Sequence, residues 1–88
     1  MTLRIQTMRS GPRVAFHLIG RIQAENLADL KCRISGGAQP VVLDLDEITL
    51  VDLEVVRFLR DAEAAGIELS HCPPFVREWI ERERAVDS

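Results

Sequence analysis

Carboxylates are the side chains of this sequence that are concentrated enough to suggest chemistry. Five of them fall within one short stretch, at Asp44, Asp46, Glu47, Asp52 and Glu54. Carboxylate oxygens are the ligands that hard cations such as Ca²⁺ prefer, but the stretch lacks the fixed ligand spacing of an EF-hand loop. We therefore predict no metal and no cofactor, and we treat the stretch as an acidic surface.

The histidines, cysteines and glycines give little support for catalysis. His17 and His71 lie on different predicted strands with no nucleophile motif beside them, so we interpret both as core or surface residues. Cys32 and Cys72 have no metal-ligand spacing, and we expect reduced thiols that pack as half-buried apolar residues. A reactive Cys72 is the alternative, since it stands just before a predicted helix. The glycine pair at 36–37 lacks the spacing and the lysine of a phosphate loop, and the sequence predicts no enzyme.

Composition limits the class of protein. The chain has 88 residues and a formal net charge of −3, which predicts one domain spanning 1–88. Its 47% hydrophobic and 28% charged residues are typical of a soluble globular domain. The arginines within 77–84 alternate with glutamates, so we expect no nucleic acid as partner. Because no apolar run resembles a membrane span or a signal peptide, we expect a cytoplasmic protein without direct membrane insertion.

Hydrophobic periodicity in the first half predicts a hairpin followed by a helix. Apolar and polar residues alternate over 3–8, the segment 14–19 is densely apolar, and a Ser-Gly-Pro turn separates the two. This arrangement predicts two antiparallel strands. From Ala24 apolar residues recur three and four positions apart, which predicts a helix that ends at 36–37.

The second half predicts a central strand, a capped helix and a short last strand. The near-continuous apolar run at 41–45 is typical of a strand covered on both faces, so we place it in the middle of the sheet. We interpret 46–51 as a connection that ends in a short extended piece. Asp52 then caps a helix that closes at Gly66, and 67–70 alternates as a strand.

A third helix follows Pro73-Pro74, with an apolar inner face formed by Val76, Trp79 and Ile80 and with Phe75 also assigned to the core. The resulting order predicts an α/β fold with a mixed sheet of about four strands and about three helices. An N-terminal hairpin would be joined to parallel strands by right-handed crossovers. On the outer helix faces we expect three ion pairs with a spacing of four residues: Asp29–Arg33, Arg77–Glu81 and Glu78–Arg82.

Three segments, in the order in which they follow one another along the chain, resemble STAS domains, the family named for sulphate transporters and anti-sigma factor antagonists. The run VVLDLDEITLVD at 41–52 is similar to the family's buried strand, which leads through an apolar connection to an Asp that opens a helix. The run FHLIGRI at 16–22 is similar to the preceding family strand, and GIELSHCP at 66–73 to the last one. The resemblance covers nearly the whole chain and implies the fold described above.

The chain departs from the family pattern where anti-sigma antagonists are phosphorylated. In that group the Asp precedes a short Ser/Thr-containing segment ending in Gly, whereas here Asp52 precedes Leu53-Glu54-Val55. The family phosphosite falls on Glu54, which cannot be phosphorylated. Gln23 stands where the family has another Asp. The resemblance therefore implies a protein-binding module whose family phosphorylation switch cannot operate.

Two functions follow as expectations. The first is a non-enzymatic module of bacterial regulation that binds an anti-sigma or kinase-like protein partner. The alternative is a cytoplasmic subunit of a membrane-transport complex that docks on an ATPase. In either case we expect a monomer or weak dimer. Glu54 could act as a phosphate mimic or only as a first-turn acid that favours the helix dipole. We expect the binding surface to include Asp46, Asp52, Glu54, Arg57 and Arg60.

Overall fold

The computed structural model describes residues 3–35 and 40–87, and within them the predicted α/β order is confirmed. The elements are β1 (Leu3–Ser10), β2 (Arg13–Ile22), a short 3-10 turn (Ala24–Asn26), α1 (Leu27–Ser35), β3 (Val41–Val51), α2 (Leu53–Ala64), β4 (Glu68–Ser70) and α3 (Pro74–Asp87). The predicted helix end at 36–37 lies outside the described residues. No helix in the described ranges is both long and apolar enough to cross a membrane.

The sheet is mixed, as predicted, and its strand order explains where the helices lie. The strands follow one another as β1-β2-β3-β4, with β1 antiparallel to β2 and the later pairs parallel. The two crossovers from β2 to β3 and from β3 to β4 step across the sheet in the same direction. Because such connections are right-handed, both place their helices on the same face of the sheet.

Burial alternates along the central strands and identifies the covered face. Leu43 and Leu45 of β3 are fully buried, whereas Val42 and Asp44 between and beside them are only half-buried. The central position of 41–45 is confirmed, but its predicted coverage on both faces is wrong. Since both crossover helices lie on one side, the second face, here called the open face, is left without a helical layer.

β3 is longer than predicted. Residues 46–51 form strand rather than a connection, and they continue the pairing with β2 through two register shifts. Each shift leaves one extra residue on β3, which is the definition of a β-bulge. The first bulge is closed by the Asp46 amide, which donates to Asp44 Oδ1 at 3.1 Å. The second bulge adds one residue between Ile48 and Val51, so both side chains reach the core although they are three residues apart.

The core lies between the sheet and the three helices. Its buried members from the helices are Leu27, Leu30, Val55, Val56, Leu59, Val76 and Ile80. Trp79 packs against this cluster as predicted, but Phe75 is 46% exposed and is not a core residue. Phe75 lies in the first turn of α3, one position round the helix from Val76, and this displaces its ring from the covered face of the sheet.

α2 ends at the predicted glycine in a hydrogen-bonded cap. Gly66 has φ of +99°, a conformation that glycine adopts without strain. Its amide donates to the Glu63 carbonyl at 3.1 Å, and the Ile67 amide donates to the Ala62 carbonyl at 3.0 Å. These are the two bonds of a Schellman motif, and they satisfy carbonyls that the helix end would otherwise leave unpaired.

Glu63 joins α2 to α3. Its two carboxylate oxygens accept from Nη1 and Nη2 of Arg77 at 2.9 and 3.0 Å, and Arg84 contacts the same carboxylate. The Arg77 hydrogen bond lowers the pKa of Glu63, against a smaller opposing effect of burial. The same bond raises the pKa of Arg77.

The helix ion pairs expected from the sequence are confirmed. Asp29–Arg33 has a contact of 3.2 Å, Arg77–Glu81 of 3.3 Å and Glu78–Arg82 of 3.5 Å. These pairs lie within single helices at the surface, where each contributes only a few tenths of a kcal/mol. Glu63 differs from them because it connects two helices.

Replacing Glu63 by glutamine should lower the free energy of unfolding by about 1 kcal/mol at pH 7, because charge-assisted bonds to Arg77 are lost. The folded-state pKa of Glu63 is lowered. Its stabilisation is therefore present above the ordinary value of 4.5 and is lost as pH falls through the folded value. Urea titrations over a pH series should show the midpoints of the variant and the wild type converging in acid.

The matched control for this measurement is Glu78→Gln, in the 73% exposed partner of Arg82. It should shift the urea midpoint much less than Glu63→Gln at pH 7, since an exposed ion pair contributes little. A difference between Glu63→Gln and wild type that stays constant down to the acid end of the series would contradict the linkage argument.

Candidate functional site

Asp52 connects the starts of two helical segments. Its Oδ1 accepts from the Val55 amide at 3.0 Å, which confirms the predicted N-cap of α2. Its Oδ2 accepts from the Ala24 amide at 2.9 Å, at the start of the turn that leads into α1. Sequence reasoning missed this second bond because it joins residues 28 positions apart. One carboxylate thus satisfies an orphan amide in each of two neighbouring segments.

The turn before α1 is closed by its own polar groups beside Asp52. The Gln23 amide donates to Asn26 Oδ1 at 2.9 Å, and the Asn26 amide donates to the Gln23 carbonyl at 2.8 Å. β2 and β3 are parallel, so the two helical segments that follow them begin at the same edge of the sheet. The residues at this edge form a surface that we call the helix-start surface, consisting of Ala24, Asp52, Leu53, Glu54 and Arg57.

Glu54 projects from the helix-start surface into solvent. Its side chain is 63% exposed, and its Oε1 makes a loose ion-pair contact of 3.9 Å with Arg57 Nη1. Leu53 before it is also exposed, at 38%, whereas Val55 after it is fully buried. The buried valine fixes the first turn of α2, and this turn presents an apolar and an acidic side chain to solvent near the positive end of the helix dipole.

The two arginines predicted for the site lie in different environments. Arg57 is 47% exposed and its Nε donates to Glu83 Oε1 of α3 at 3.2 Å. Arg60 is only 15% exposed, with its Nη2 3.0 Å from Asp61 Oδ1, so the expectation that it lies on an exposed binding surface is wrong. Arg60 follows Val56 by four residues, and Val56 is buried, so this side of α2 turns away from solvent.

Asp46 lies apart from the helix-start surface. It is exposed in the middle of β3, and the strand separates it from Asp52 by roughly 20 Å at about 3.3 Å per residue. The prediction that the acidic stretch forms one surface therefore fails, because β3 continues where a connection was expected. Among residues 3–35 and 40–87, no group of three or more His, Cys, Asp or Glu side chains is placed to hold a metal ion.

A groove between α1 and α2 adjoins Glu54. It encloses about 310 Å³, and Lys31 Nζ lies 5.9 Å from the centre of the Phe58 ring, within range of a cation–π contact. The residues that line it are Leu27, Lys31, Glu54, Arg57, Phe58, Asp61, Ala62 and Ile67. Sequence reasoning did not identify Lys31 and Phe58 as groove residues, because the groove is created by the distance between α1 and α2. Hydrophobic periodicity within a helix does not give that distance.

The polar cluster on the open face resembles a catalytic triad in composition but not in geometry. Ser70 Oγ lies 3.0 Å from His71 Nδ1, and Asp44 Oδ1 lies 3.3 Å from the same nitrogen. A triad needs the nucleophile and the carboxylate on opposite ring nitrogens. His17 Nε2 lies 3.2 Å from Glu47 Oε2 without hydrogen-bond alignment. These contacts order the polar groups of the open face and do not activate a nucleophile.

The cysteine environments differ from each other. Burial raises the pKa of the half-buried Cys72, which opposes the reactive-thiol alternative because the thiolate is the reactive form. Cys32 is exposed on α1 rather than half-buried. The helix-start surface therefore remains the part of the described structure in which predicted site residues converge.

Asp52→Ala should lower the free energy of unfolding by about 1–2 kcal/mol, because the amides of Val55 and Ala24 both lose their acceptor. Asp52→Ser should recover part of this loss, since the serine oxygen can replace Oδ1 as the acceptor for Val55 but leaves no second oxygen in the place of Oδ2 for Ala24. Urea unfolding measures the energies, and amide hydrogen exchange at Ala24 measures the second bond.

Asp46→Ala is the matched control, since it removes an exposed carboxylate from β3, the strand that leads to Asp52. It should leave both measurements within a few tenths of a kcal/mol of wild type. Equal protection of the Ala24 amide in wild type and Asp52→Ser would contradict the bridging role of the carboxylate.

The whole chain was also compared with known proteins. No protein-family model matches it, and no curated protein matches it. The resemblance to STAS domains consequently rests on the sequence segments quoted above.

Proposed function

We propose that this chain is a non-enzymatic, STAS-type protein-interaction module of bacterial regulation. It binds an anti-sigma or kinase-like protein through the helix-start surface, in the cytoplasm and without phosphorylation at the family position. The observation that carries the proposal is the exposed pair Leu53 and Glu54 on a fixed helix start. In the anti-sigma antagonists that the sequence resembles, the corresponding turn contains the phosphosite.

The rigidity of the turn supports a binding role. Asp52 holds the first-turn amide of Val55, and the Val55 side chain is anchored in the core. A surface that is already ordered loses less conformational entropy when a partner binds, which favours affinity. An exposed leucine beside an exposed carboxylate also supplies both components of an interface, an apolar contact and a charge that selects the partner.

Glu54 gives the surface a permanent negative charge. A phosphoserine carries about −1.5 to −2 charges and three acceptor oxygens at pH 7, whereas glutamate carries one charge. A partner that distinguishes phosphorylated from unphosphorylated relatives would meet an intermediate state here that no kinase or phosphatase can change at this residue. Glu54 also stabilises the first turn of α2 through the helix dipole. This role is compatible with partner recognition, because both roles use the same exposed carboxylate.

Site-specific photo-crosslinking tests where the partner binds. A photoreactive benzoylphenylalanine at Leu53 should give a crosslinked protein in the source cells. The same group at Phe75, an apolar position on α3 that is more exposed than Leu53, should not. Mass spectrometry of the adduct distinguishes an anti-sigma or kinase-like protein from the transporter ATPase that is the alternative partner. Equal adducts from both positions, or adducts from Phe75 alone, would contradict the proposed surface.

The charge of Glu54 should matter for partner affinity and little for stability. Glu54→Lys is expected to change the affinity for the crosslinked partner by more than 1 kcal/mol, as close interfacial charges do. It should change the free energy of unfolding by less than about 1 kcal/mol, through the helix dipole and the Arg57 contact. Calorimetry with the purified partner and thermal unfolding measure the two effects.

Two further variants sharpen this test. Glu54→Ser removes the charge, and it should shift affinity in the same direction as Glu54→Lys but by less. Glu78→Lys reverses a charge on α3 that is more exposed than Glu54 and should leave affinity unchanged. If Glu54→Lys keeps wild-type affinity with a normal fold, Glu54 has only a structural role and the binding surface lies elsewhere.

A further inference from the structure

Three arginines lack an acidic neighbour within the described residues, and all three lie in the N-terminal hairpin. They are Arg4, Arg9 and Arg21. The other seven arginines, Arg13, Arg33, Arg57, Arg60, Arg77, Arg82 and Arg84, each lie within 4 Å of a carboxylate. Since the chain is acidic overall, the cations left without carboxylate neighbours are a local feature of β1 and β2 rather than a consequence of composition.

Arg4 and Arg21 lie close together on the open face. Arg4 of β1 is directly opposite Ile19 of β2, and Arg21 follows Ile19 by two residues on the same strand. Residues two apart on a strand point to the same side, and Ile22 next to Arg21 is fully buried on the covered side. The two exposed arginines are therefore diagonal neighbours on the open face, about 7–8 Å apart.

Apolar side chains border the two arginines. Leu50 of β3 is in register with Arg21 and is 47% exposed, and Ile19 between the arginines is half-buried. Glu47 is in register with Ile19, but its carboxylate lies beside His17 Nε2 at 3.2 Å. We call the four residues Arg4, Ile19, Arg21 and Leu50 the open-face patch.

We propose that the open-face patch is a second docking surface, which binds an acidic amphipathic helix of a protein partner. Two guanidinium groups without carboxylate neighbours attract carboxylates, and guanidinium forms the stronger, forked bonds to such groups. On a helix, residues three or four positions apart project about 5–6 Å from one another, which suits two arginines at this separation. An apolar residue on the same helix face would contact Leu50.

The remaining charges of the open face favour a polypeptide over a nucleic acid. Asp44, Glu47 and Glu68 lie on the same face, where each is near a basic group of its own: His71, His17 and Arg13 respectively. Nucleic acids are held by many phosphate contacts along a basic stripe. Two arginines with three carboxylates on the same face do not form such a stripe. The patch is chemically opposite to the helix-start surface, so this proposal stands independently of the proposed function.

The test uses a designed probe and the full chain. An 18-residue synthetic helix with glutamate and leucine on one face is titrated into the isotope-labelled protein, and amide shifts are followed by NMR. We expect saturating shifts at Arg4, Ile19, Arg21 and Leu50, and much weaker binding of the same peptide with lysine in place of glutamate. Shifts centred on the helical layer, or equal affinity for the lysine peptide, would overturn the proposal.

Charge-reversal variants separate specific docking from general attraction. The double variant Arg4→Glu/Arg21→Glu should weaken binding of the acidic peptide at least tenfold. The control Arg33→Glu/Arg82→Glu makes the same change in net charge on the helical layer and should weaken binding less than threefold. Thermal unfolding checks that both variants fold. Equal weakening by both variants, or tighter binding of a single-stranded oligonucleotide than of the peptide at the patch, would overturn the proposal.

Discussion

The carboxylate of Asp52 is the interaction on which the arrangement of this molecule depends. It accepts one bond from the start of α2 and one from the turn that leads into α1, so it sets these two segments relative to each other at one edge of the sheet. Side-chain capping is usually a local matter between a residue and the helix that it begins. Here it is also a long-range contact, and the exposed side chains of Leu53 and Glu54 are positioned by it.

The hand of the two crossovers determines the rest of the molecular surface. Because both connections are right-handed and step the same way, the helices share one face and the other is left to the side chains of the strands. The helical layer buries the apolar residues and pairs its charges internally, as the contacts of Glu63 with Arg77 illustrate. The open face carries a mixture of histidine, carboxylate and arginine side chains, most of them exposed.

Local features of the sequence were sufficient to predict the element order, the central position of 41–45, the Asp52 cap and the Gly66 cap. Each is encoded within a few neighbouring residues, as apolar spacing or as a residue with a conformational preference. The errors concern properties that arise between elements. The length of β3 depends on bulges that let it continue alongside β2, and the burial of Arg60 depends on which side of α2 turns away from solvent. The 310 Å³ groove depends on how far α1 lies from α2.

The two outer strands of the sheet differ in how they meet other chains. β4 has only three residues, too few to recruit another strand effectively, but β1 offers eight residues of backbone with an unpaired side. Arg4 and Arg9 are five positions apart on β1, so they lie on opposite faces of this edge strand. Pairing of two copies through β1 would bring the four guanidinium groups to one seam, and charged side chains on an edge strand disfavour such pairing. The arginines of β1 thus oppose aggregation through this edge, a protection that neutral substitutions at both positions would remove.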